Sequence, residues 1–277
     1  MNEGHRPELM RIVALLEERH GIGVRGEELP LWLEERLRSA VGALLHARRL
    51  ELADLHAQLL CEPELVVELA NALRVGETRF YRDAPQWEAL RREVMPGLWA
   101  RRPPPQRLMA LSAGCSTGEE AWTLAMLLHE TAPRAAGSAG RGRVIGVDRS
   151  EPALVTARAA TYDSGSHRQL PRELEQRFLQ PAVDGSARVV AELQSGVTFQ
   201  CRDLTQGLPP GRYAIIMCKN VLIYFGDEAQ DRLVHELLRA LSDDGLLFVA
   251  RSEVPIVRSL GAKAQEIAPN ITAFRPL

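Results

Sequence analysis

Residues 111–120 read LSAGCSTGEE, and AWTLAMLLHE follows at once. An apolar run stops at a turn of glycines and hydroxyls, and a helical pattern opens on paired glutamates. Two chemistries compete for this stretch. Gly114-Cys115-Ser116-Thr117-Gly118 has the G-x-S-x-G spacing of a nucleophile elbow, in which Ser116 would attack an acyl group. The same strand, turn and helix can instead cradle a ligand, because glycines admit close backbone approach and a helix N-terminus offers unpaired N–H groups. An elbow needs an acid and then a histidine beyond the last strands. The last histidine, His235, lies inside a helical pattern ahead of LLFVAR, and no HGGG-like oxyanion segment precedes the turn. The serine-hydrolase reading is therefore the weaker one. The seven histidines are scattered without ligand spacing, so no metal site is expected.

The cradle requires an acid at the end of the next strand to take ribose hydroxyls. Asp148 ends RVIGVD, about 30 residues past the turn against the roughly 20 of a dinucleotide fingerprint. The loop APRAAGSAGRG accounts for the excess. Glu119 and Glu120 stand where a pyrophosphate would sit and would repel it. S-adenosylmethionine suits the turn better: it has no phosphate and carries an ammonium and a sulfonium that carboxylates attract. Asn220, at the carboxyl end of the strand in MCKNVLIYF, is where a site residue belongs. The segment VGETRFYRD (75–83) packs Thr78, Arg79, Tyr81 and Arg82 between helical stretches.

These residues need a scaffold. From RLMALS (107–112) onward, short apolar strands alternate with helices: 118–130 helix, 143–148 strand, 151–160 helix, then strands at 197–203, 213–220 and 246–251 with a helix over 227–241. That alternation indicates a parallel sheet covered on both faces. Between 163 and 196 it breaks, and a short helix with a hairpin around Asp184-Gly185 is expected as an inserted subdomain. Residues 8–75 read as all-helical, with stripes Leu9, Ile12, Val13, Leu15, Leu16 and Leu33, Leu37, Ala40, Val41, Leu44, Leu45. Further helical pattern covers 51–60 and 63–74.

The chain has 277 residues and a net charge of −2, which gives no pull towards nucleic acid or anionic membrane. Lys219 and Lys263 are its only lysines. No stretch approaches a membrane span or a signal peptide, and the cysteines have no paired spacing, so a reducing cytoplasm and free thiols are expected.

Taken together, GETRFYRD, SAGCSTGEE, VDRSEPALVTARAATY, CKNVLIYF and LLFVARSE, in this order, resemble the chemotaxis-receptor glutamate O-methyltransferases, the CheR family. The resemblance runs from about residue 8 to near the end. It implies an α/β Rossmann-like S-adenosylmethionine-dependent methyltransferase with an all-helical N-terminal domain (1–75) for receptor docking. A catalytic domain (76–277) would follow, carrying a small inserted β-subdomain at about 163–196. It implies methylation of glutamate side chains on the cytoplasmic helical domain of chemoreceptors, by a protein that acts as a monomer. Carried over by motif, Gly76, Thr78 and Arg82 close over the cofactor, with Arg82 near its carboxylate. Gly114 belongs to the turn, Glu119 holds the amino group and Asp148 the ribose. Asp203 and Leu204 lie by the adenine, and Asn220 and Val221 face the methionine part. Gly76, Asp203 and Lys219 depart from the commoner Asn, Asn and Arg.

A glutamate acceptor is ionised at neutral pH, with a reference pKa of about 4.3. No catalytic histidine is expected; Arg79, Tyr81 and Tyr224 are candidates for orienting the acceptor. Arg36, Arg38, Arg48 and Arg49 are candidates for docking acidic receptor helices. Some family members tether to a receptor C-terminal peptide through the β-subdomain. The loop after Phe178 (LQPAVDGSAR) is shorter here, so a tether-independent enzyme is expected. The alternative is a silent S-adenosylmethionine-binding sensor or scaffold of the same fold.

Overall fold

A computed structural model describes residues 6–20, 22–23, 30–73, 78–102, 107–133 and 142–277. It divides into two compact units, residues 1–76 with 222–232, and residues 77–221 with 233–277.

The first unit is built on α1 (Arg6–His20), α2 (Leu31–Arg48), α3 (Leu52–Cys61) and α4 (Pro63–Ala72). Helices of ten residues are marginal alone in water. Here each donates one apolar face to a shared core that includes Leu9, Ile12, Leu37, Val41, Leu55, Leu59 and Leu69. Fully burying one such side chain is worth about 1.5–3 kcal/mol. Residues 222–232 join this unit: Ile22 bridges to Phe225, and the Gly23 N–H donates to the Tyr224 carbonyl at 3.0 Å.

The second unit opens on α5 (Ala84–Ala89) and α6 (Met95–Ala100), joined by a π-helical turn over Leu90–Val94. The main strands are β1 (Met109–Ala113), β2 (Arg143–Asp148), β6 (Val197–Cys201), β7 (Tyr213–Cys218), β8 (Leu241–Val249), β9 (Ala264–Ala268) and β10 (Ile271–Phe274). Their order is β6-β2-β1-β7-β8-β10-β9. The first five run parallel, while β10 is antiparallel to both β8 and β9. Every residue of β7 is buried, as expected for a strand covered on both faces. The helices that follow strands include α7 (Glu119–Thr131), α8 (Glu151–Ala159) and α12 (Asp227–Ala240).

Between α8 and β6 the chain inserts β3 (Thr161–Tyr162), α9 (Ser164–His167), α10 (Arg172–Phe178), β4 (Leu179–Pro181), β5 (Ala187–Val189) and α11 (Ala191–Gln194). The three short strands form an antiparallel sheet, β3-β5-β4. Its β4–β5 connection turns at Gly185, with Asp184 accepting from the Ser186 N–H and hydroxyl. A last short helix, α13 (Val254–Ser259), precedes β9. The sequence reading ends its strands at LLFVAR; the hairpin of β9 and β10, turning at Asn270 in the left-handed region, is an addition to it. Among the described residues no helix is long and apolar enough to cross a membrane, and no cluster of His, Cys, Asp and Glu could hold a metal.

Candidate functional site

From β1 the chain proceeds outward to β2 and β6 on one side, and returns through β7 and β8 on the other. The switch point lies between β1 and β7, and in open sheets of this kind ligands bind beyond the carboxyl ends at that crevice. The turn after β1 and the turn after β7 meet there. Gly114 has φ +77°, and a Cβ on it would lie 2.4 Å from Val221 Cγ2. Gly118 has φ +97°, and a Cβ there would lie 2.7 Å from the Ala157 Cβ. Both positions therefore require glycine, for conformation and for space.

Asp148, buried at the end of β2, ties this turn to the next. Its Oδ2 accepts the Ser116 N–H and its Oδ1 the Ser150 N–H, both at 2.8 Å. A carboxylate oxygen can accept more than one hydrogen bond, so this group can also receive a ligand hydroxyl. Glu119, 4% exposed at the first residue of α7, accepts from Thr117 Oγ1 at 2.7 Å and Ser166 Oγ at 2.8 Å. Burial raises its pKa above the ordinary carboxylate value; the two hydroxyls oppose that rise, and nearby Asp163 adds to it. A desolvated carboxylate of this kind is completed by a cation.

Glu120 turns inward, where Ser112 Oγ donates to it at 2.7 Å. Burial raises its pKa, with Lys219 and Arg82 opposing and Glu253 reinforcing the rise. Lys219 is itself almost wholly buried, and desolvation lowers its pKa. Its Nζ donates to the Arg82 carbonyl at 3.0 Å and lies 3.8 Å from Asp83 and 5.3 Å from the Trp87 ring centroid. Lys219 thereby fastens the segment after Thr78 to the end of β7. That segment is strained, with Tyr81 at φ +59° and Asp83 at φ +68°.

Gly114 lies in the turn after β1, Glu119 opens α7, Asp148 ends β2, and Asn220 and Val221 follow β7, with Lys219 of that same turn bonded to the Arg82 carbonyl; Thr78 is half-buried ahead of α5. Arg79 is half-buried and donates to Gln169 Oε1. Asp203 and Leu204 follow β6, the neighbour of β2. Asp203 Oδ1 accepts the Thr205 N–H and hydroxyl at 2.8 and 2.7 Å and so starts a 3-10 turn, while Leu204 is buried. Gly76 lies outside the described residues.

Tyr81 and Tyr224, considered for orienting the acceptor, have packing partners of their own. Tyr81 is 1% exposed in the core, its ring stacked on Trp87 and its hydroxyl donating to Glu88 Oε1 at 2.7 Å. Burial and Glu88 push that phenol's pKa far up, so it holds its proton in place. Tyr224 belongs to the helical unit, edge-on to Trp32 at 5.5 Å. Three of the four docking arginines have partners within that unit. Arg36 donates to the carbonyls of Ala72 and Leu73 at the end of α4, Arg38 pairs with Glu34, and Arg48 approaches Glu62 and Glu68. Arg49 caps α2 in the left-handed conformation.

Ser116 does adopt φ +50°, as an elbow serine would. Its anchor is a backbone bond to Asp148, and among the described residues no histidine bonds its hydroxyl. Sequence reasoning gave no role to Ser166, Lys219 or Glu253. Lys219 and Glu253 lie inside quoted motifs; Ser166, in the insertion, carries no signal of its own.

The donor set fits S-adenosylmethionine. A buried carboxylate held by two hydroxyls can pair with an ammonium, an acid at the end of β2 can take a diol, and glycines hold the backbone close. A phosphate would meet the Glu119 carboxylate at the start of α7.

Residues 76–263 match the family model described as CheR methyltransferase, SAM binding domain. Chemotaxis protein methyltransferase 1 of Pseudomonas aeruginosa is 31% identical over 193 residues, 69% of each chain. Chemotaxis protein methyltransferase Cher2 of Pseudomonas putida is 30% identical over 189 residues, 67% of this chain and 68% of that one. A chemotaxis protein methyltransferase of Borreliella burgdorferi is 25% identical over 252 residues, 90% of this chain and 88% of that one.

Proposed function

The chain belongs to the CheR methyltransferase family, and from that premise we propose that it methylates glutamate side chains in the cytoplasmic helical domain of chemoreceptors. The products are the glutamate methyl ester and S-adenosylhomocysteine. The observation that carries this reading is the buried Glu119 carboxylate at the start of α7, desolvated and held by hydroxyls beside the Asp148-anchored turn. Such a pair selects a cationic, phosphate-free nucleoside cofactor.

When bound, S-adenosylmethionine supplies a sulfonium methyl; the acceptor oxygen bonds to it as the C–S bond breaks to sulfur, and the two opposite charges cancel. The chain's residues hold and align. Glu119, with Thr117 and Ser166, takes the ammonium end, and Asp148 takes the ribose. Asp203 and Leu204 border the base. Asn220 and Val221 border the methionine part, with Thr78 and Arg82 over it and Arg82 near its carboxylate. The acceptor is ionised at neutral pH, so no side chain has to remove a proton. Alignment and exclusion of water are what remain, and they can supply roughly 7–11 kcal/mol. Arg79 is assigned to the incoming carboxylate.

The helical residues 1–75 are assigned to receptor docking through Arg36, Arg38, Arg48 and Arg49, the first three exchanging their present partners for receptor acids. Residues 76–277 form the catalytic part, with the insertion at 163–196, and the reaction belongs in the cytoplasm.

The test is incubation with methyl-labelled cofactor and receptor cytoplasmic fragments. Base-labile label on glutamate is the expected result. Cofactor binding with no transfer would make the chain a sensor or scaffold, and ester hydrolysis lost in Ser116→Ala would revive the elbow.

A further inference from the structure

After β8 the chain makes a 3-10 turn, Arg251–Glu253, and the Glu253 side chain folds back beneath the end of β7. It has no exposed surface. Its Oε2 accepts the Asn220 N–H at 2.9 Å and the Ala250 N–H at 3.0 Å, and its Oε1 accepts the Val221 N–H at 2.8 Å. One carboxylate thus receives three backbone donors from two loops. Asn220 sits at φ +57°, in the left-handed region that asparagine tolerates better than most non-glycine residues, and its N–H is bound there by Glu253. Val221 in turn sits against Gly114, with no room for a single added methyl.

We infer that Glu253 is a positioning residue for the cofactor site: by binding both amides of Asn220-Val221 it sets that turn, and through Val221 it sets the glycine turn after β1. This rests on the cofactor reading above and adds a residue to it. Removing this carboxylate would leave three backbone N–H groups without their acceptor, so the side chain fixes the turn it binds. The bonds go to the turn at the switch point, where a displacement below one ångström would be felt by a ligand. A neighbouring group shows the same concentration of charge: burial pushes the Cys218 thiol well up, and Glu253 and Glu120 add to it.

The substitution Glu253→Gln replaces one acceptor oxygen by an NH2 that faces an N–H, so at least one of the three bonds becomes a repulsion. Glu253→Asp keeps the charge but withdraws it by one methylene. Asp244→Asn, at the opposite end of β8, is the control for lost stability. Calorimetric titration with S-adenosylhomocysteine, well below each variant's melting temperature, reads the outcome.

We expect Glu253→Gln to weaken binding at least tenfold and Glu253→Asp by less, with Asp244→Asn binding as the wild type does. Hydrogen exchange at Asn220 and Val221 should quicken in Glu253→Asp, so the inference stays testable if the glutamine variant does not fold. Wild-type affinity in both Glu253 variants, or equal weakening in Asp244→Asn, would overturn it. Absence of binding by the wild type would instead overturn the cofactor reading, and this inference with it.

Discussion

At Glu119 two effects oppose each other. Burial makes the carboxylate harder to ionise, while Thr117 and Ser166 hydroxyls favour the ion. Burial wins, so the folded pKa is raised. Only the ionised form attracts an ammonium, so affinity for S-adenosylhomocysteine should fall as pH drops through that raised value. Titration of the affinity from neutrality towards acid would show it. Glu119→Gln should weaken binding by about 1–3 kcal/mol at pH 7, the worth of a charged hydrogen bond, and flatten the pH dependence. Asp148→Ala should cost a similar ~1–3 kcal/mol in calorimetry, because it removes an acceptor and frees the Ser116 and Ser150 amides. The Ser116 N–H belongs to that support through its bond to Asp148.

The glycine turn is the element with least tolerance. Gly114→Ala meets a positive φ and a Val221 methyl at 2.4 Å together. Overpacking of this kind costs about 1–3 kcal/mol, so a lower melting temperature and weaker cofactor binding should appear together. The small β-sheet makes a different prediction. In β4 the Phe178 carbonyl and the Ala182 N–H bond to the β5 side, so Leu179 and Pro181 face the free edge. The Leu179 N–H already closes α10 on the Glu175 carbonyl, and Pro181 has none. A peptide added to this edge would find acceptors and no donors, which a strand ladder cannot use. An isolated receptor C-terminal pentapeptide should therefore show no binding by calorimetry, in keeping with a tether-independent enzyme. Tight binding would sink that expectation.

For the molecule as a whole, acid stability depends on groups far from the site. Arg102 and Arg101 clasp Asp244, with Arg102 Nη1 2.7 Å and Arg101 Nε 2.8 Å from its Oδ2, and hold its carboxyl well below the usual range. Folding depresses that pKa, so the stabilisation is complete above the unfolded carboxylate value and is lost as pH falls through the folded one. Asp244→Asn should lower stability near neutrality by about 0.5–1.5 kcal/mol, discounted because the cluster is partly in solvent. The gap should close in acid, as denaturant titrations at several pH values would reveal. The alternation of strands and helices was legible because period and punctuation are local: RVIGVD is a strand at the residues the pattern marks, and Asp148 ends it. The glycines and the acid of the turn were legible for the same reason. The hairpin of β9 and β10 was not, since its strands are short and half-exposed and carry no continuous apolar run. Sequence by itself determined which residue types stand at the ends of β1, β2 and β7. Only the tertiary structure decided that Tyr81 turns inward, that Ser166 reaches Glu119 from the insertion, and that Glu253 holds Asn220 and Val221. Those contacts join positions 47 and 33 residues apart: the insertion brings Ser166 to Glu119, and the adjacency of β7 and β8 brings Glu253 to Asn220, which no local pattern encodes.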